Sequence, residues 1–348
     1  MLWLALAVSA CASPTKPSTP PVDPYPEGPH ILCPATPDAF TSRDGQSMSI
    51  QYGTPTSTSG APPVSIACTP ASGSLFPIGT THVGCTATDG RQRTDVCAFN
   101  VSVLAPPKLT VTRFVAFGDS ITWGENGAIT AYEVTSVIRP HFQVPKTYPT
   151  VLYQSLATRY TTQGILVSNQ GIPGEYAKDA DTQARFSSIV RSGGFDVVLL
   201  MEGSNDLGDG FASSAIAALR SMVRNAKANG VKPFLATVPP MDGSSCCPRR
   251  GSAAPLVPGF NDQIRGVASD EGIPLVDVYG ALSGSVSQYI GPDGLHPNDT
   301  GYQKIGETFF NAVKTNLEVK SSTTRLPTTT TLAAPAAARP GSPVRQRR

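Results

Sequence analysis

The chain has 348 residues, 40% of them hydrophobic and 15% charged, with a net charge of +2. That length can bury a sizeable core and suits two domains, while the sparse, nearly balanced charge lacks the basic footprint of a nucleic-acid binder, so nucleic acid is excluded as the expected partner. Of the seven cysteines, Cys33, Cys68, Cys85 and Cys97 lie in the first third, Cys246 and Cys247 are adjacent and Cys11 stands alone; no spacing resembles a zinc site, and no metal or other cofactor is expected.

Met1 to Ala10 is an apolar run too short to span a bilayer and long enough for the core of a signal peptide, so export is expected. Val8-Ser9-Ala10-Cys11 resembles a bacterial lipobox, in which the cysteine is lipidated and becomes the mature amino terminus. No Lys or Arg precedes Lys16, which leaves ordinary secretion open beside membrane attachment through Cys11. Residues 12–29 carry seven prolines and read as an extended linker.

From about residue 30 to 105 short alternating runs (47–52, 64–68, 81–86 and 96–104) sit between Gly, Pro, Ser and Thr clusters. They predict a small antiparallel β-sandwich, whose limited core two disulfides would offset in an oxidising compartment. Four cysteines allow three connectivities. Residues 65–81, then Val83-Gly84-Cys85-Thr86-Ala87-Thr88-Asp89 and Cys97-Ala98-Phe99, resemble the hyalin repeat (HYR) module, an immunoglobulin-like family associated with adhesion and spacing. The resemblance implies bridges pairing Cys68 with Cys85 and Cys33 with Cys97, and a cell-surface or matrix contact as the module's partner.

After Ala105-Pro106-Pro107 apolar strands alternate with helical patterns. Strands are predicted at 111–117, 164–169, 196–201, 232–238 and 273–277, and helices at 147–160, 177–191, 212–229, 258–270 and 300–317. This alternation calls for one parallel sheet with helices on both faces. Tyr302, Ile305, Phe309 and Val313 recur at a helical period and are expected to pack in the core. Residues 319–348, rich in Thr, Pro, Ala and Arg, are expected to stay disordered and solvated.

Chemistry concentrates at strand ends. Ser120, in Phe117-Gly118-Asp119-Ser120-Ile121-Thr122-Trp123-Gly124, falls on the turn after the first of these strands, where open α/β sheets place ligands. A serine hydroxyl needs a base and its oxyanion needs donors. Asp293-Gly294-Leu295-His296-Pro297 supplies both base and orienting acid from one tight loop, and both Ser120 and His296 are expected on surface loops beyond the sheet. Asn205, in Gly203-Ser204-Asn205-Asp206, and Gly174, after Asn169-Gln170-Gly171-Ile172-Pro173, follow two other strands and are candidate oxyanion donors with the N–H of Ser120.

These four blocks, in this order, resemble the SGNH hydrolases of the GDSL lipase and esterase family over about residues 111–317, within a domain drawn at 109–318. The resemblance implies a flavodoxin-like, three-layer α/β/α fold with a five-stranded parallel sheet, a triad of Ser120, His296 and Asp293, and an oxyanion hole of Ser120, Gly174 and Asn205. It also implies a small-molecule or polysaccharide ester as substrate. Two other readings stand beside it: a catalytically inactive binding protein that works through the HYR-like module, and a lysophospholipase or thioesterase acting on longer acyl chains. The loops 125–146 and 239–257 are expected to bring Trp123, Tyr132, Phe142, Met241, Arg249 and Arg250 near the site. Glu125, Asn126, Glu133, Arg139, His141 and Lys146 interrupt the first loop and Asp242, Arg249 and Arg250 the second, which predicts a preference for acetyl to butyryl esters, including acetyl groups on carbohydrate. Cys246 and Cys247 are read as either a strained vicinal bridge or two free thiols.

Overall fold

A computed structural model describes residues 22–127, 143–244 and 252–319. Cys11, Tyr132, Phe142, Cys246, Cys247, Arg249, Arg250 and the tail from residue 320 lie outside the described residues. No helix among the described residues is long and apolar enough to cross a membrane.

The amino-terminal domain is all β. Its strands are β1 (Ile31–Leu32), β2 (Phe40–Thr41), β3 (Met48–Ser49), β4 (Thr56–Ser57), β5 (Ser65–Thr69), β6 (Leu75–Phe76), β7 (Gly79–Thr88) and β8 (Thr94–Leu104). The long strands β7 and β8 pair antiparallel, β5 joins β7 and β2 runs parallel beside β8, while β1 with β4 and β3 with β6 form two small sheets. Alternation does the sorting: Val83, Cys85 and Ala87 of β7 and Phe99, Val101 and Val103 of β8 are buried, and their neighbours face outward. Cys85 lies opposite both Cys68 and Cys97 in the ladder. Cys33 bonds to Cys97, so Cys85 pairs with Cys68.

Two expectations change here. The predicted strand at 47–52 is regular only over Met48–Ser49: Ile50 still bonds through its backbone to Ser74 and Gly73, and beyond it the Tyr52 N–H is taken by the Ser72 hydroxyl instead of a ladder carbonyl. Residues 22–29, read as linker, are fastened to the sandwich: Arg91 grips the Asp23 carboxylate at 2.6 and 2.7 Å, and Arg93 donates to the carbonyls of Tyr25 and Pro26. An extended Pro-rich backbone leaves its carbonyls unpaired, and two arginines of the β7–β8 turn use them.

The second domain carries β9 (Arg113–Gly118), β10 (Leu166–Gly171), β11 (Val197–Met201), β12 (Lys232–Ala236) and β13 (Leu275–Val276) in one parallel sheet of order β10-β9-β11-β12-β13. Its principal helices are α1 (Ser120–Trp123), α2 (Tyr148–Arg159), α3 (Ala180–Arg191), α4 (Ser204–Gly208), α5 (Ala212–Ala228), α6 (Val257–Glu271) and α7 (Asp299–Leu317). Helix α2 packs with α7, and α3, α5 and α6 pack in a row, so the sheet is covered on both faces. This is the flavodoxin-like three-layer arrangement. Every residue of β11 is buried, which explains its uninterrupted apolar sequence. Tyr302, Ile305, Phe309 and Val313 are fully buried, and the Phe309 ring stacks on Tyr148 at 4.8 Å.

The chain enters and leaves this domain at one place. Thr110 N–H donates to the Leu317 carbonyl and Val319 N–H to the Lys108 carbonyl, while Glu318 accepts from Arg159 at 2.6 and 2.8 Å and from the Tyr160 hydroxyl. In the sheet, strands β10 and β11 lie on either side of β9. The strand order reverses at β9, and the carboxyl ends there form the crevice in which this topology places ligands.

Candidate active site

The turn after β9 is built by its own residues. Asp119 caps α1, its Oδ1 accepting the Ile121 N–H at 2.9 Å, which sets Ser120 at the first helical position. Gly118 admits no side chain: a Cβ there would lie 2.2 Å from the Met201 carbonyl of β11. The close approach of β9 and β11 therefore depends on glycine immediately before the Asp-Ser pair.

Ser120 Oγ lies 2.8 Å from His296 Nε2, and His296 Nδ1 lies 2.6 Å from Asp293 Oδ2. The second Asp293 oxygen accepts the N–H groups of Leu295 (2.9 Å) and His296 (3.0 Å), so the carboxylate closes its own loop as well as holding the ring. Burial works to raise the Asp293 carboxyl, but the bond and charge of His296 with those two N–H groups prevail and hold it at about 2. An ionised Asp293 accepts from Nδ1–H, leaving Nε2 with its lone pair toward the serine. Ser120, Asp293 and His296 are all buried, which corrects the expectation of surface loops. They stand beyond the sheet edge but are covered by the segments around them.

Gly174, in left-handed backbone at φ +78°, sits in the turn after β10, and Asn205 lies in the first turn of α4 after β11. Since β10 and β11 flank β9, these two residues follow the strand ends on either side of Ser120. The Asn205 side-chain amide donates to the Glu175 carbonyl at 2.9 Å, tying the two segments together. The buried Asp206 carboxylate continues the tie by accepting the N–H groups of Ala177 (2.8 Å) and Lys178 (3.1 Å).

The crevice is rich in buried acid. Burial pushes the Asp119 carboxyl up to about 6, against the Ile121 N–H and the attraction of His296. Burial, together with the charges of Asp119 and Glu175, pushes Glu202 well above the ordinary carboxylate range. Its Oε2 accepts the Gly203 N–H while Oε1 has no hydrogen-bond partner among the described residues. Burial also raises Asp206, opposed by its two backbone donors. Among the described residues no group of three or more His, Cys, Asp and Glu side chains is arranged to hold a metal ion.

Met241 is buried in the core cluster, and the N–H of its neighbour Asp242 donates to the Gly294 carbonyl of the histidine loop at 2.9 Å. Glu125, read only as a polar interruption of the first loop, is 3% exposed, and its Oε2 lies 3.5 Å from His296 Nε2. Sequence reasoning missed Glu125, and also Asp206 as an anchor of the Gly174 segment. The available signal was the same in both: a carboxylate one to five residues from a motif residue, where a turn or short helix brings it back toward the strand end.

Residues 116–304 match the GDSL-like Lipase/Acylhydrolase family, and residues 22–103 match the HYR domain. A multidomain esterase of Ruminococcus flavefaciens is 27% identical over 126 residues, covering 34% of this chain and 16% of that protein's length. Among solved structures, an α/β hydrolase enzyme from the metagenome of Lake Arreo, Spain, is 24% identical over 58% of this chain and 94% of its own, with a TM-score of 0.45. A lipase/acylhydrolase from Enterococcus faecalis is 20% identical over 61% of this chain and 100% of its own (TM-score 0.47). An acetylxylan esterase from Geobacillus stearothermophilus is 22% identical over 59% of this chain and 96% of its own (TM-score 0.45).

Proposed function

Because the chain belongs to the GDSL-like lipase/acylhydrolase family, and is thus a carboxylic ester hydrolase, we propose that it cleaves short-chain acyl esters with Ser120 as nucleophile, His296 as base and Asp293 as orienting acid. The observation that carries this reading is the unbroken chain from Ser120 Oγ through His296 to Asp293, at 2.8 and 2.6 Å. In acylation the Ser120 proton passes to Nε2 as Oγ bonds to the acyl carbon and the carbonyl electron pair moves to oxygen. The resulting oxyanion is met by the N–H of Ser120, which heads α1, by the N–H of Gly174 and by the Asn205 amide. That amide carries two hydrogens; one goes to the Glu175 carbonyl and fixes the group, which leaves the other for the oxyanion. His296 then gives its proton to the leaving alcohol, and water repeats the sequence to release the acid.

The HYR domain supplies no reacting group in this scheme and serves to space or attach the enzyme at a cell surface or matrix. The apolar start of the chain supports export, with Cys11 as a point of lipid attachment to a membrane face. Acetyl groups on carbohydrate are the favoured natural esters.

The test is a series of nitrophenyl esters from acetyl to decanoyl beside acetylated xylan and a lysophospholipid. We expect kcat/KM to be highest from acetyl to butyryl, and Ser120→Ala and His296→Ala each to abolish turnover in a protein that melts like the wild type. Wild-type turnover in Ser120→Ala would end the catalytic reading. A steady rise from acetyl to decanoyl would replace it with the lipase alternative.

A further inference from the structure

His296 Nε2 faces two oxygens, Ser120 Oγ at 2.8 Å and Glu125 Oε2 at 3.5 Å. The second is too long for a good hydrogen bond but is ion-pair distance to a protonated ring. Glu125 is not there by the accident of a flexible side chain. Its N–H donates to the Ser120 carbonyl at 2.9 Å, and its own carbonyl accepts from the Tyr302 hydroxyl at 2.8 Å. Tyr302 is fully buried among Asp119, Glu125 and Asp293, and that burial pushes its phenol well above the usual range, so it stays a donor. Two residues on, the Gly127 carbonyl accepts the Asp293 N–H at 3.1 Å, and a Cβ on Gly127 would lie 2.7 Å from the His296 carbonyl. Segment 125–127 is thus laced to the serine turn at one end and to the histidine loop at the other.

A carboxylate beside Nε2 gains nothing from the neutral ring, whose lone pair points outward, and is attracted to the ring once Nε2 carries a proton. We propose that Glu125 is a second carboxylate of the catalytic centre, acting on the Nε2 side of His296 to stabilise the imidazolium formed as Ser120 loses its proton. This rests on the reading of Ser120 and His296 as nucleophile and base. In acylation the proton leaves Oγ for Nε2, and in leaving-group departure it goes from Nε2 to the alcohol oxygen. Glu125 gains no proton in either step and acts by charge alone. Among the described residues the titratable groups around the ring are Asp293 on its own loop, Glu125 after α1, Asp119 before α1 and Tyr302 of α7 behind Glu125. Asp293 holds the Nδ1 side, so the two carboxylates take opposite nitrogens of one ring.

The experiment is the pH profile of kcat/KM for nitrophenyl acetate, whose leaving group needs no proton, in the wild type, Glu125→Gln and Ser120→Ala. Glutamine keeps the size and removes the charge. We expect the acid limb of Glu125→Gln to move to lower pH by about one unit or more, with a plateau lowered roughly three- to thirtyfold and an unchanged melting temperature. A role in packing alone would scale the whole profile without moving the limb, and an acid limb superimposed on that of the wild type overturns the proposal. Should glutamine at 125 prevent folding, Glu125→Asp replaces it, with the limb expected to fall by about half a unit, and an unmoved limb overturns the proposal likewise. Ser120→Ala separates the two readings: activity surviving there removes the nucleophile, whereas activity lost there with an unmoved limb at Glu125 removes only the role of Glu125.

Discussion

Replacing Asp119 by asparagine is expected to stabilise the hydrolase domain at neutral pH while leaving it nearly unchanged near pH 4. Asp119 is buried, and that burial holds its carboxyl at about 6 instead of the ordinary 3.8. The unfolded chain therefore ionises this group more readily than the folded one does. Well below the ordinary 3.8 the carboxyl is neutral in both states and contributes its full share to stability; that share falls as pH rises from there and is lost by about 6, with only a small part gone at pH 4. A difference of about two units, at 1.36 kcal/mol each, makes the loss ~3 kcal/mol at pH 7 and above. Asparagine keeps the Oδ1 that accepts the Ile121 N–H at 2.9 Å, so the cap of α1 survives. It also removes a charge that helps to raise Glu202, which works in the same direction. The lost attraction to His296 is smaller than the burial cost and works against it. Denaturant unfolding of the hydrolase domain, followed at Trp123 at pH 4 and pH 8, is the assay. The variant should nearly match the wild type at pH 4 and exceed it by up to ~3 kcal/mol at pH 8. Equal destabilisation at both pH values would refute the reasoning, since it would mean that the carboxyl contributes by shape rather than by charge.

Asn205→Ala should lower kcat by roughly a hundredfold or more with little change in KM, because the amide acts on charge that develops after binding; a rise in KM at constant kcat would assign Asn205 to substrate binding instead. In the first domain, the bridges Cys33–Cys97 and Cys68–Cys85 close separations of 64 and 17 residues, stabilising the sandwich by about 4 and about 3 kcal/mol on the loop-entropy account. Non-reducing peptide maps should recover both links, and reduction should lower the melting of the sandwich while esterase rates stay constant. A parallel loss of activity would show that the domains depend on each other.

The order of strands and helices after residue 107 was legible from the sequence because it rests on local periodicity. Each of the five predicted strands and five predicted helices overlaps an observed element, with no end displaced by more than three residues. The uninterrupted apolar run 197–201 announced a strand buried on both faces, and the 3.6-residue spacing of Tyr302, Ile305, Phe309 and Val313 announced a buried helix face. The four motif blocks were legible for a related reason: each sits just beyond a strand or in a tight loop, so a few adjacent residues carry its identity. What only the tertiary structure decided are relations across the chain. Glu125 and His296 are far apart in sequence and meet because α1, Tyr302 and Gly127 bring the serine turn against the histidine loop. The carboxyl of Asp119 rises to about 6 because neighbouring segments exclude water from it, and an aspartate in a turn gives no sign of that by itself. Likewise the Asn205 amide finds the Glu175 carbonyl, and Asp23 finds Arg91, only after separate segments have folded together. Burial and charge coupling are properties of the packed chain, and no window of neighbouring residues contains them.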